Sequence, residues 1–210
     1  MAIVLGSFPV GEYDRRVILL TKDRGKITAF AKGARRQNSK LLAATDLFAF
    51  GEFFLYPGRS SYTLTGAKIM TYFEEMRKDF SKAYYGMFFL ELCDYYGREN
   101  NDEKELLRLL YQSLKALQHP SLPGQLVQYI FEVRALVIHG EYPGIPRKLF
   151  LQESTKYALD FIVTTPVEKL YTFNVSKEVL WELKTVTDEL RKKYIDRKIK
   201  SLEMITLLEA

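Results

Sequence analysis

Cysteine, histidine and tryptophan are nearly missing from this 210-residue chain, which holds one Cys (Cys93), two His (His119 and His139) and one Trp (Trp181). A single thiol excludes an internal disulfide and fits a cytoplasmic protein. Cys93, with Phe88, Phe89, Leu92 and Tyr96 close in sequence, reads as an inert core thiol. Two histidines and one cysteine cannot assemble the usual structural zinc site. His139-Gly140-Glu141 matches the H-x-E step of zinc deaminases, but no P-C-x-x-C follows it. Both histidines read instead as surface or capping groups at helix ends. Long hydrophobic runs are lacking too. The most apolar stretch, Tyr84 to Leu92, is interrupted by Glu91 and falls far short of the roughly 20 residues a spanning helix needs. The start, MAIVLGSFPVG, has no basic n-region and does not read as a signal peptide. There is no P-loop, no G-x-G-x-x-G and no nucleophile–base set. These absences predict a chain with no membrane role, no catalytic residues, no metal and no cofactor.

What is present is charge, unevenly spread. Residues 1–40 carry nine Lys/Arg against three acids, a net +6, whereas the remainder carries 22 against 23, a net −1. The early cations include Arg15, Arg16, Lys26, Lys32, Arg35, Arg36 and Lys40, the last four within one loop, Lys32-Gly33-Ala34-Arg35-Arg36-Gln37-Asn38-Ser39-Lys40. Small residues let a phosphate approach the backbone, and adjacent arginines offer forked donors to its oxygens. The same run also reads as an ordinary solvated loop. Lys26, Phe30 and Lys32 share a strand face and add the mixture of cation and ring used on single strands, although Phe30 reads first as a core residue. A second basic cluster, Arg191, Lys192, Lys193, Arg197, Lys198 and Lys200, fits the exposed face and end of a helix. It could also serve as an additional strand-binding surface.

The period of the apolar residues predicts an α+β, two-domain chain. Five short runs (Ala2–Phe8, Arg16–Thr21, Gly25–Lys32, Leu47–Tyr56, Tyr62–Phe73) are broken by turns such as Lys22-Asp23-Arg24-Gly25 and Pro57-Gly58-Arg59-Ser60. In the third, Ile27, Ala29 and Ala31 face one way. Five strands with a basic loop between the third and fourth fit an OB-type β-barrel over residues 1–75. From about Met76 the spacing turns helical, giving a mainly α-helical domain over 76–210. Its helices are marked by Phe80/Tyr84/Met87/Glu91, by Leu106/Leu110/Leu114/Leu117, and by Leu126/Ile130/Val133/Val137 ending at Gly140. Ser176 is the expected N-cap of a helix through Leu180, Leu183, Thr187 and Leu190, and a last helix is expected over Asp196–Leu208. Residues 141–173 read as an irregular or hairpin insert, pairing Lys148–Gln152 with Tyr157–Val163. Trp181 reads as a core or domain-interface residue.

One pattern is more specific than charge or period. Gly11-Glu12-Tyr13-Asp14-Arg15-Arg16, then Thr21 and Gly25-Lys26-Ile27-Thr28, then Ala31-Lys32-Gly33-Ala34-Arg35 and Ser39 resembles the N-terminus of the RecO family of DNA-repair recombination mediators. Phe131-Glu132-Val133-Arg134 leading to Gly140-Glu141-Tyr142-Pro143 resembles the helix before that family's zinc-binding insert. Tyr194-Ile195 with Lys200-Ser201-Leu202 resembles its C-terminal helix.

The resemblance implies an OB-fold followed by helices, and binding of single- and double-stranded DNA with annealing of complementary strands. It further implies work with RecR to place RecA on DNA coated by single-stranded-DNA-binding protein (SSB), and no enzymatic activity. The four cysteines often found in the family's insert are absent, so no zinc is expected, with packing around Tyr157, Leu159 and Phe161 in its place. Arg134 is the expected contact for the acidic tail of SSB. The same cations would equally serve an RNA-binding OB protein, or a scaffold whose basic loop meets an acidic protein.

Overall fold

The computed structural model describes residues 1–209. The elements in order are β1 (Ala2–Val10), β2 (Asp14–Thr21), β3 (Gly25–Ala31), a 3-10 turn at Ala43–Thr45, β4 (Phe50–Pro57) and β5 (Tyr62–Thr71). They are followed by α1 (Glu75–Lys78), α2 (Phe80–Tyr96), α3 (Lys104–Leu117), α4 (Gly124–Ile138), α5 (Glu153–Thr164), α6 (Lys177–Tyr194) and α7 (Lys200–Glu209). The chain folds as two compact units. One comprises Met1–Lys78 with Leu90–Leu107, the other Asp79–Phe89 with the chain from Arg108 onward.

In the first unit the strands close into a barrel in the order β1-β2-β3-β5-β4, the arrangement of an OB-fold. All neighbours are antiparallel except β3 and β5, which pair in parallel at Ala29↔Tyr62 and Phe30↔Thr63. Closure follows from alternation. Val17 and Leu19 of β2 and Ile27, Ala29 and Ala31 of β3 point inward and are buried, meeting Ala2, Val4, Ala49 and Leu64 in one core. The small alanines leave room at the narrow centre of a five-stranded barrel. A bulge between Val4 and Gly6 shifts the register of β1 against β2. Beyond it, Phe8 of β1 is exposed.

The barrel also holds Leu90–Leu107. Gly25, the first residue of β3, pairs with Glu99, and Lys26 N–H donates to Arg98 O at 3.0 Å. The site tolerates only glycine, because φ is +64° and an added Cβ would lie 2.0 Å from the Arg98 carbonyl oxygen. Arg98 N–H in turn donates to Glu103, a buried carboxylate.

The second unit is helical. Phe89 of α2 stacks on Phe131 of α4 with centroids 4.4 Å apart, and Leu110, Leu114, Leu126, Ile130, Leu183 and Val186 are buried. Ser176 caps α6 by accepting from Val179 N–H, and α4 stops before Gly140 (φ +70°). Three expectations are corrected here. The insert holds the helix α5 rather than a hairpin, because Thr155, Ala158, Leu159 and Ile162 recur at helical spacing and are the buried set. Tyr157 is therefore 74% exposed instead of filling a core, while Phe161 packs edge-on against Phe173 at 5.0 Å. Trp181 is 67% exposed, since the buried face of α6 is Val179, Glu182, Leu183, Val186, Thr187 and Leu190.

The face of α2 also differs from its expected phase. Tyr85, Phe88, Phe89, Leu92, Cys93 and Tyr96 are buried, whereas Phe80 is 81% exposed. A helix apolar on all sides hides which stripe will be covered.

Candidate nucleic-acid interface

The loop between β3 and β4 is built, not slack. Ala34 is fully buried and joins the barrel core, anchoring the Lys32–Lys40 run at the barrel wall. The loop is then stitched to the β1–β2 turn. Gly33 N–H donates to Asp14 Oδ1 at 2.7 Å, and Arg35 N–H donates to Tyr13 O at 2.8 Å. The Arg35 guanidinium donates to Gly11 O and Glu12 O at 3.2 and 3.1 Å. Successive turns, Arg36 N–H to Gly33 O and Ser39 N–H to Arg36 O, continue the loop. Charge at this end is thus presented on a fixed backbone.

The seven cations named from the sequence separate into two groups. Arg15 donates to Asp46 Oδ1 (2.8 Å), Thr45 Oγ1 (2.9 Å) and Leu42 O (3.1 Å), tying β2 to the far end of the loop. Lys26 donates to Asp94 Oδ1 at 3.2 Å and to the Asp94 backbone carbonyl. These two are half-buried structural pairs. Arg16, Lys32, Arg35, Arg36 and Lys40 are exposed, and among the described residues none of them forms an ion pair. An exposed cation without a carboxylate partner keeps its field available to a polyanion.

Aromatic rings accompany these cations, and two of them, Phe8 and Tyr13, are not marked by charge or period in the sequence. Arg16 lies over the Phe8 ring at 5.0 Å from its centroid, and Arg36 lies over Tyr13 at 5.2 Å. Phe30, expected in the core, instead faces outward and is half-buried. Cross-strand register puts Phe8, Arg16 and Phe30 side by side on β1, β2 and β3. The signal available for Phe8 was Gly6, whose missing side chain leaves room for the ring; an added Cβ would come within 2.9 Å of it.

In the helical unit the second basic cluster also divides. Arg191 is half-buried and pairs with the buried Glu132 (2.8 Å) and with Asp188 (2.8 Å), with Gln128 donating to Glu132 at 2.8 Å. Lys192 and Lys193 stay exposed and line a cleft with Pro143–Lys148, where Lys148 pairs with Glu189. Arg134 donates to the carbonyls of Ile162 (3.3 Å) and Val163 at the C-terminal end of α5, where a cation suits the helix dipole. Cys93 is fully buried, and burial pushes its thiol well above the ordinary range, with Glu103 and Asp94 adding to the shift. Among the described residues no group of three or more His, Cys, Asp or Glu is placed to hold a metal ion. No helix there is long and apolar enough to cross a membrane.

Comparison with known proteins bears on the same two parts of the chain. Residues 1–73 match the family model "Recombination protein O N terminal", and residues 77–147 match "Recombination protein O C terminal". The DNA repair protein RecO of Acetivibrio thermocellus is 27% identical over 99% of this chain and 95% of its own length. That of Clostridium novyi is 28% identical over 99% and 93%. The RecO of Alkaliphilus metalliredigens reaches 32% over 68% of this chain and 56% of its own length. With an OB-type barrel, a helical unit and matches that cover both, the chain belongs to the RecO family of DNA repair proteins.

Proposed function

We propose that this chain is a non-enzymatic recombination mediator that binds single- and double-stranded DNA, anneals complementary strands, and helps RecR place RecA on SSB-coated single strands. The observation that carries the reading is the set of five exposed cations, Arg16, Lys32, Arg35, Arg36 and Lys40, at one end of the barrel. They hold phosphates and carry no base sequence information. Annealing follows from electrostatics. A cationic surface that engages two strands screens their repulsion and raises their local concentration. An acidic tail approaching α4 would share Arg134 with the carbonyls of α5.

The test is fluorescence-monitored annealing of complementary oligonucleotides coated with SSB, comparing wild type with Arg35→Glu/Arg36→Glu. Rapid annealing by wild type and its loss in the double variant is the expected result. No annealing by wild type would reduce the family relation to a shared fold and turn attention to RNA or an acidic protein as partner.

A further inference from the structure

We infer that the barrel holds single-stranded DNA by the faces of its bases as well as by its phosphates, with Phe8 and Tyr13 as the stacking rings. This rests on the proposed DNA-binding reading and specifies how the same surface would work. Two large rings are exposed beside these cations, Phe8 at 43% and Tyr13 at 44%. Each carries an arginine over it, Arg16 and Arg36. Gly6 leaves space for the Phe8 ring at the barrel wall, and the Arg35 N–H bond to Tyr13 O pins the backbone of the Tyr13 turn. Phe30 continues the row on the third strand.

An exposed ring–guanidinium pair contributes only about 0.5–1 kcal/mol by itself. As a binding surface it offers more, since a guanidinium that swings to a phosphate frees the ring beneath it for a base. The opposite end of this outer face has no such room. Leu20 is fully buried and Lys26 is paired to Asp94, with Gly97 packed closely against both. Contact is thereby concentrated at the Phe8–Tyr13 end.

The chemistry selects unpaired strands. In a duplex each base face is covered by its neighbours, whereas a single strand offers faces at little cost. Stacking also leaves the Watson–Crick edges unengaged, so a strand held this way can still meet its complement. Phosphate contacts alone would hold a strand equally well whether or not it carried bases.

That difference is the test. Affinities of the full chain for a thymidine oligonucleotide and for an abasic oligonucleotide of equal length are measured at the same salt, for wild type and for Phe8→Ala/Tyr13→Ala. Wild type should prefer the base-bearing strand by about a hundred-fold, about ten-fold per ring, and the double variant should bind both strands at the abasic level. Equal binding of the two strands by wild type overturns the inference while leaving the phosphate-binding reading intact. Binding of neither overturns both.

A second readout does not depend on the alanine variant folding. With Trp181→Phe removing the native indole, Tyr13→Trp should be quenched by the thymidine strand and not by the abasic one. Equal quenching by both would count against stacking.

Discussion

Lys26 Nζ on the barrel lies 3.2 Å from Asp94 Oδ1 and also meets the Asp94 backbone carbonyl, contacts that join residues 68 positions apart. Arg15 stands in the same relation to Asp46 at 2.8 Å. Both cations are locked into the fold, which separates them from the exposed set. Arg15→Ala and Lys26→Ala should each lower stability by about 1–2 kcal/mol and change oligonucleotide affinity less than two-fold. Lys32→Ala and Arg36→Ala should do the reverse. Urea denaturation beside a binding titration checks the crossover; a stable Lys26→Ala that binds poorly would return Lys26 to the interface.

Salt counts the same residues another way. Five phosphate contacts give a log–log slope of about −3.5 on single strands, or roughly two decades of affinity between 50 and 200 mM salt. A slope near −5 would mean that Arg15 and Lys26 leave their carboxylates when DNA binds. A flat response would remove the electrostatic mechanism.

Gly25→Ala should cost about 2–3 kcal/mol or more. The substitution meets both an unfavourable φ of +64° and the Arg98 carbonyl at 2.0 Å. Thermal melting measures it. A variant as stable as wild type would mean that the Gly25–Glu99 pairing contributes little.

Cys93 should resist thiol reagents in the native protein. Its thiol is fully buried and shifted well above the ordinary range, so at pH 8 almost no thiolate is available. Modification by a disulfide reagent is expected about 100-fold slower than for an unfolded control and to accelerate through the urea transition. Fast native labelling would show that Leu90–Leu107 opens readily.

Glu132→Ala should destabilise the chain by about 3 kcal/mol, because it removes a buried carboxylate from Arg191 and leaves Asp188 as that charge's carboxylate partner among the described residues. Calorimetry of the variant and of Glu132→Ala/Arg191→Met separates the parts. Recovery in the double variant is expected, and its absence would place the cost in packing.

Much of the barrel was legible because alternation is a local signal. Ile27, Ala29 and Ala31 faced the core as their spacing required. The Val4/Gly6 bulge was not legible, and with it went the outward phase of Phe8. Pairs such as Lys26–Asp94 and Arg15–Asp46 depend on tertiary closure, so the charge count could not tell bound cations from available ones. In the insert, the aromatic and β-branched run Tyr157–Val163 suggested a strand. The stronger signal was the helical recurrence of Thr155, Ala158, Leu159 and Ile162.

The helix α2 contributes Phe80–Phe89 to one unit and Leu90–Tyr96 to the other. A chain cut at residue 78 would therefore keep all five strands and lose Asp94, Gly97, Arg98 and Glu99, taking the close packing of Gly97 from Leu20 and the carboxylate from Lys26. The barrel is not a portable module. Shuffling it onto another protein would require carrying a piece of helix that the sequence places beyond the apparent boundary.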